Sequence, residues 1–529
     1  MRLWRSLTIS QRTVVTLQQV VRVVHCGYRC PNSTCPDHQR LYRSSQADEL
    51  ALPGFTFGLD IILLVGHLRL SEHKTVDEVH RLLMQRLAPL AQTISRREIL
   101  FLFEAYTALL RAGTEVQHDE GWKEQVRKNK GLLLAIDGIQ PDRGNETIYL
   151  VRGVLTGRIV TADNVTESTK ARLKQVLAPV VALGLPVIGV ISDAQSTELQ
   201  AVADLWPETP HQICQFHALR EAGRLIFVLD QRTKTEMRVR LQQKTHARGQ
   251  SHEASQRGRT GPIGSAGGIC GAGRSRLKRR ESGPFRLWGT GYARGADPHS
   301  NESGEARKKG QAVNQTCEKR VTRLLTIVGL QEEKQDVLAH IRAMRDWVME
   351  VEHIFDGSWV SQPEEISNAE VRRRLDDWLH RLSTFLQSEG RTEDEDLRLG
   401  HLLKVMTHLR PELVQCYDVA GFPRTNNDLE RTIRAIKMHY RRISGRKNWN
   451  SYLLRYGRCV AYQEWWQQQP DGAACLQARL KHVAPAAFRQ VRQETRDRHQ
   501  EQLNRYRFRR RPLAYLQMLE ARWEQAACT

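Results

Sequence analysis

Three carboxylates in this chain sit where metal-dependent phosphodiester chemistry could use them. Gly131-Leu-Leu-Leu-Ala-Ile-Asp137-Gly138 is an apolar run that ends in an aspartate, and Val187-Ile-Gly-Val-Ile-Ser-Asp193-Ala194 repeats the design. The third, Glu430, follows Thr425-Asn-Asn-Asp-Leu at the start of a long helical pattern. An apolar strand that delivers a carboxylate at its end fixes a charged ligand on a rigid, otherwise buried element. Magnesium or manganese would suit such ligands, since a hard cation takes oxygen donors and keeps room for water and substrate phosphate. Two such ions can activate an attacking oxygen and stabilise a leaving one.

The elements that must hold these groups can be read between them. Thr147 to Val154 and Arg158 to Asp163 read as strands about a turn at Thr156-Gly157-Arg158. Thr166 to Leu183 reads as a helix, and Ser196 to Leu205 as another. Pro210 to His217 reads as a short strand handing over to a helix. Asp142 and Asp163 are read as surface groups in a turn and at a strand end, with Asp204 a further competitor. Thr425 or Asn426 can cap the helix of Glu430, and Asp428, two residues away, should point off the face that Glu430 uses. Behind Glu430, Arg431, Arg434, Lys437, Arg441 and Arg442 are spaced as a basic face that ends in Arg446 and Lys447.

Two cysteine and histidine groups invite a metal reading. Cys26, Cys30, Cys35 and His38 have short spacings on a Pro-containing turn, which suits either a structural zinc tetrahedron or free thiols in a loop, and His25 could replace an end ligand. Cys214 and His217 supply only two ligands and are read as a packing and hydrogen-bonding pair beside the carboxylates. Further on, Thr75-Val-Asp-Glu78 and Ser95-Arg-Arg-Glu98 are capping boxes that open helices over 76–85 and 99–110. Arg96 and Arg97 at the start of the second give this pair the look of a DNA-binding helix-turn-helix, with a plain helical bundle leading into the core as the other reading.

With 80 Lys plus Arg against 59 Asp plus Glu, the chain carries a formal charge of +21, which favours a polyanionic partner, nucleic acid first. At 529 residues it is too long for one core. No segment reads as a membrane span, and the broken apolar run from Val14 to Val24 is a poor signal-peptide core. Helical periodicity stops abruptly where 14 of the 36 glycines fall between Gly249 and Gly310. A flexible basic loop or a stretch read out of frame through two compensating frameshifts would produce this; the second is favoured, because periodicity stops and resumes without caps. Trp347, Trp359 and Trp378, in the helical region beyond, read as core anchors. Trp465, Trp466 and the run Arg505 to Arg511 read as a basic helical tail without a specific role.

Taken together, Asp137-Gly138, Ser192-Asp193, Cys214-x2-His217 and Asn426-Asn427-Asp428-Leu429-Glu430 with its basic tail resemble bacterial insertion-sequence transposases with a DDE triad, in the branch related to Mutator-like elements. The resemblance covers about residues 20–245 and 320–465. It implies an α/β fold: a ribonuclease-H-like mixed sheet flanked by helices, interrupted by a large all-helical insertion and preceded by a helix-turn-helix-like region. The implied organisation is 1–55 with the Cys/His cluster, 56–125 for DNA binding, 126–218 and 421–465 for the two parts of the core, 219–420 for the insertion with its aberrant stretch at 246–320, and 466–529 for the tail. It also implies two magnesium ions, with Asp137 bridging both, Asp193 binding one and Glu430 the other. Its partners would be double-stranded DNA, both terminal inverted repeats and target, and further copies of the chain, at the bacterial nucleoid in the cytoplasm. Two readings stay open beside it: a relic that binds element ends without cutting, and a cellular ribonuclease-H-like nuclease that cleaves without joining.

Overall fold

The computed structural model describes residues 4–36, 38, 40–43, 46–114, 116, 119–140, 146–253, 329, 333–359, 366–444 and 450–527. Asp142, Arg446, Lys447 and the Gly-rich stretch from residue 254 onward lie outside them. The chain opens with strands β1 (Trp4–Val15), β2 (Val20–Arg29) and β3 (Tyr42–Arg43), followed by helices α1 (Gln46–Leu50), α2 (Leu59–Leu70), α3 (Val76–Leu87), α4 (Arg96–Thr114) and α5 (Glu120–Lys128). Then come β4 (Leu132–Ile139), β5 (Thr147–Gly153), β6 (Ile159–Val165), α6 (Lys170–Val181), β7 (Val187–Ser192), α7 (Ser196–Leu205), β8 (His211–Ile213), α8 (Gln215–Ala222) and α9 (Arg224–Glu253). The remaining elements are helices: α10 (Gln335–Asp356), α11 (Asn368–Gln387), α12 (Glu393–Leu413), α13 (Asn427–Ser444), α14 (Asn450–Gln467), α15 (Gly472–Lys481), α16 (Pro485–Arg510) and α17 (Pro512–Ala527).

The central element is a five-stranded sheet in the order β6-β5-β4-β7-β8. β4, β5 and β6 form an antiparallel meander, while β7 and β8 run parallel, so the sheet is mixed and the fold is α/β. Gly131 starts β4 at φ +146, where a Cβ would stand 2.6 Å from the Pro186 carbonyl, so only glycine lets β4 begin against that loop. The apolar runs on either side of the meander's turns follow from its burial, with Leu134, Ile148, Leu150 and Val151 fully enclosed.

A second sheet, β1-β2-β3, was not foreseen in the sequence. Its hairpin pairs Val15 with Val20 across a turn in which the Thr16 hydroxyl donates to the Gln19 carbonyl at 2.8 Å. The signal was present in Val20-Val-Arg-Val-Val, a β-branched run, but the arginines and glutamines of the region obscured it.

The chain divides into two compact units: Met1–Ile188 with Gln200–Pro207 and Asn426–Thr529, and Gly189–Leu199 with Glu208–Thr425. In the first, Thr75 and Glu78 close a full capping box on α3, and Ser95 and Glu98 exchange the same pair of bonds at α4. α4 packs along its length through Ile99, Leu102, Phe103, Tyr106 and Leu109. Tyr106 donates to the Gln463 side-chain oxygen on α14 at 2.8 Å, inside the core. Trp465 and Trp466 gain a role: with Trp122 they box the Arg158 guanidinium, which is paired with Asp119 at 2.6 Å.

The second unit is built on helices. Trp378 is fully buried among Phe355, Leu402 and Met406, while Trp347 and Trp359 pack partly buried against that cluster. Each large apolar side chain enclosed there contributes about 1.5–3 kcal/mol. α9 runs to Glu253, into the stretch from 246 where the sequence reading ends helical order. Among the described residues, no helix is long and apolar enough to cross a membrane.

Candidate active site

In the first unit, Asp137 lies near the end of β4, opposite Leu150 of β5, with one carboxylate oxygen accepting the Gly138 amide at 2.6 Å. Its chain neighbours Ile136 and Ile139 are buried, so the strand is anchored on both sides of the carboxylate. Asn426, one of the two cap candidates in the sequence with Thr425, directly precedes α13 and also reaches β4. Its side-chain amide donates to the Ile136 carbonyl at 2.9 Å, and its own carbonyl accepts the Glu430 amide at 3.0 Å in the first turn of α13. This buried tether joins the start of the helix that carries Glu430 to the strand that carries Asp137.

The alternation along α13 fixes what faces where. Leu429, Ile433 and Ile436 are buried, Glu430 and Lys437 are half-buried, and Asp428, Arg431 and Arg434 are exposed. Asp428 pairs with Arg431 at 3.2 Å on the open side, away from the buried stripe. Arg441 and Arg442 continue the same helix. Of the N-terminal basic residues, Arg97 is exposed and Arg96 is engaged with Asp77 of α3, so Arg96 braces the helix pair as well as presenting a cation.

In the second unit, Asp193 follows β7 directly and His217 stands in the first turn of α8. His217 Nδ1 and Asp193 Oδ1 are 2.8 Å apart. The Cys214 amide donates to the Ser192 carbonyl at 2.8 Å, which pins the start of α8 to the end of β7. One ligand atom from each of Asp193, Cys214 and His217 lies within 4.8 Å of the other two, the only such group of three metal-ligating side chains among the described residues. Burial works against charge on His217, but the hydrogen bonds and negative charge of Asp193 and Cys214 outweigh it and push its pKa up to about 10. The neighbouring His211 behaves oppositely: burial pushes it down to about 4, and its Nε2 meets the Ser192 hydroxyl at 2.9 Å as a neutral ring.

Residues that sequence reading passed over hold this corner together. Gln212 and Gln215 both donate to the Leu413 carbonyl, at 3.0 and 2.8 Å, and the Gln215 amide donates to the Arg424 carbonyl at 3.0 Å. The segment through Leu413 and Arg424 is thus strapped to β8 and α8. Amides have no periodic signature, so nothing in the sequence marked them out.

The N-terminal set is not gathered. Cys26 lies within β2 and Cys30 just after it, and four residues of extended chain span about 13 Å. His38 Nδ1 meets the Cys30 carbonyl at 2.9 Å, and no three of Cys26, Cys30, Cys35 and His38 bring ligand atoms within 4.8 Å of one another. His25 is buried in the hairpin opposite Ser10.

The donor types divide the metal question. Asp137 and Glu430 offer oxygen alone, which suits magnesium or manganese. Asp193 stands with a thiol and an imidazole, a mixed set that suits a zinc-class ion at least as well. Asp163, read as a surface group, is instead half-buried and bound by three arginines, so it is no rival ligand.

Fold and site together define a mixed α/β protein with strand-borne and helix-borne carboxylates and an exposed basic helix face. Comparison with family models and with characterised proteins finds none whose sequence matches this chain.

Proposed function

We propose that the chain is a DNA transposase of the DDE type, with a ribonuclease-H-like core, that cuts and joins strands at the ends of an insertion sequence. The observation that carries this reading is the Asn426 tether, which bonds the first turn of the Glu430 helix to the strand of Asp137 across 290 residues of sequence. A buried side-chain bond over that separation is what a site assembled from distant carboxylates needs.

Asp137, Asp193 and Glu430 are the proposed holders of two magnesium ions, which would supply Lewis acidity at the attacking and leaving oxygens of an in-line displacement. The chain's own residues orient and bind. His217 holds one oxygen of Asp193 and so presents the other in a fixed direction. Arg431, Arg434, Lys437, Arg441 and Arg442 meet DNA phosphates along α13 and contribute affinity that falls with salt. Arg97 at the start of α4 adds a second phosphate contact.

The test uses the full chain with magnesium and duplex DNA taken from both flanks of its gene. Nicked and joined products are expected. Asp137→Ala and Glu430→Gln should each lower product formation by about a thousandfold or more while retaining binding, and Asp428→Asn should stay near wild type. Binding without any product in the wild type, or an Asp137→Ala variant as active as the wild type, would overturn the enzyme and favour a DNA-binding relic. Cleavage without joining would favour a nuclease.

A further inference from the structure

A cavity of about 550 Å³ opens within the first unit beside β6, far in chemistry from the carboxylates discussed above. Six arginines against five carboxylates line it. Among them Arg172, Arg458 and Arg498 surround Asp163, while Glu146 stands near Arg498 and Arg505, and Arg505 also pairs with Glu501.

The pairing is close at one acid and loose at the other. Asp163 Oδ1 is shared by Arg458 and Arg498, both at 3.0 Å, and by the Asn164 amide at 2.9 Å, while Oδ2 takes Arg172 at 2.8 Å. Glu146 stands 3.7 Å from Arg498 and 3.8 Å from Arg505, beyond hydrogen-bond range. Four guanidiniums bring about twenty N–H donors, whereas Asp163, Glu146 and Glu501 together offer about twelve acceptor sites, and Glu146 already accepts from the side-chain amides of Asn164 at 3.1 Å and Gln502 at 3.3 Å. The Ala162 and Asn164 carbonyls take only a few of the remainder. Arg111 pairs with Glu494 and Arg505 with Glu501, which leaves the excess with Arg172, Arg458 and Arg498 around Asp163. Burial, together with the charges of Arg111 and Arg498, works against the charge on Arg458, which is the mark of cations held closer than their counter-charges allow.

We propose that this cavity binds a phosphate group, free or as a phosphodiester. Its oxygens match the planar forks of Arg172, Arg498 and Arg505 and would supply the acceptors and negative charge that Asp163 and Glu146 leave short. The proposal stands apart from the catalytic reading, since it uses none of the same side chains.

Thermal unfolding of the full chain in inorganic phosphate or pyrophosphate, against sodium chloride at equal ionic strength, tests it. A saturable upward shift of several degrees is expected with phosphate and not with chloride. The half-saturating concentration should rise at least tenfold in Arg172→Gln/Arg505→Gln. Arg505→Gln alone, at a half-exposed position, should still raise it severalfold if the double variant does not fold. Asp163→Asn removes a competing carboxylate, so phosphate should restore its lost stability at lower concentration than the wild type requires. Equal shifts with chloride, or an unchanged half-saturation in Arg505→Gln, would overturn the proposal. Displacement of a fluorescent duplex by pyrophosphate, lost in Arg505→Gln, identifies a phosphodiester of nucleic acid as the ligand; a phosphate shift with no displacement identifies free phosphate.

Discussion

Asp163 and Asp193 are both aspartates carried by a strand, and their partners are opposite in kind. Asp163 is enclosed by Arg172, Arg458 and Arg498. Burial alone would raise its carboxyl, but those guanidiniums hold it below the usual carboxylate range, and none of them gives up its proton at any ordinary pH. Asp193 instead meets an imidazole and a thiol, groups that themselves bind metals. The first carboxylate is locked into the structure, whereas the second can exchange its partner for a cation. What a strand-borne carboxylate does is therefore decided by its neighbours and not by the strand.

Exchanging the two residues' chemistry gives the sharpest break. Asp193→Ala should lower magnesium-dependent strand cleavage by about a thousandfold or more, far beyond what the stability lost with the His217 pair explains. Asp163→Asn should do the reverse: cleavage within severalfold of wild type under folding conditions, and a stability loss of about 2 kcal/mol from stranding three guanidiniums. Urea unfolding alongside single-turnover cleavage separates the two. If Asp163→Asn abolished cleavage at full stability, the division between locked and exchangeable carboxylates would be wrong.

The same division predicts an acid dependence. A carboxyl whose folded pKa is depressed contributes stability that is present above its unfolded pKa, about 3.9, and is lost as pH falls through the lower folded value. The gap in urea midpoint between wild type and Asp163→Asn should accordingly be constant from pH 7 to about pH 4 and close below it. A gap that closed already between pH 7 and 5 would mean that another group carries the effect.

How far the sequence could be read follows from the same distinction. β4, β5, β6, β7 and α7 were legible because apolar runs with turn residues between them have few other solutions, and Thr75 and Ser95 announced their helices through local capping chemistry. Asp163 was misjudged as surface because its arginines come from residues 172, 458 and 498, and no local pattern ties them to it. The β1–β2 hairpin was hidden by polar residues within its Val-rich strands. The Cys26 to His38 spacing suggested a tetrahedron only so long as β2's extended backbone was unknown. The Asp193–His217 contact depends on a β7–β8 pairing that short strands barely signal.

The smallest effect tests how Glu430 is held. Asn426 could serve α13 in two ways, as an ordinary cap that accepts from the helix or as a tether that donates to β4. Aspartate caps a helix as well as asparagine does, but it has no N–H to give to the Ile136 carbonyl, which accepts from Asn426 at 2.9 Å. Asn426→Asp therefore keeps the cap and removes the tether, leaving two acceptors facing each other in a position that is 2 % exposed. A loss of about 1–3 kcal/mol is expected, with Asn426→Ser in between, and cleavage should fall by more than the stability loss alone explains, since Glu430 loses its anchor to the Asp137 strand. If Asn426→Asp unfolded at the wild-type midpoint, the residue would be a cap after all, and the bond from α13 to β4 would carry no weight in placing Glu430.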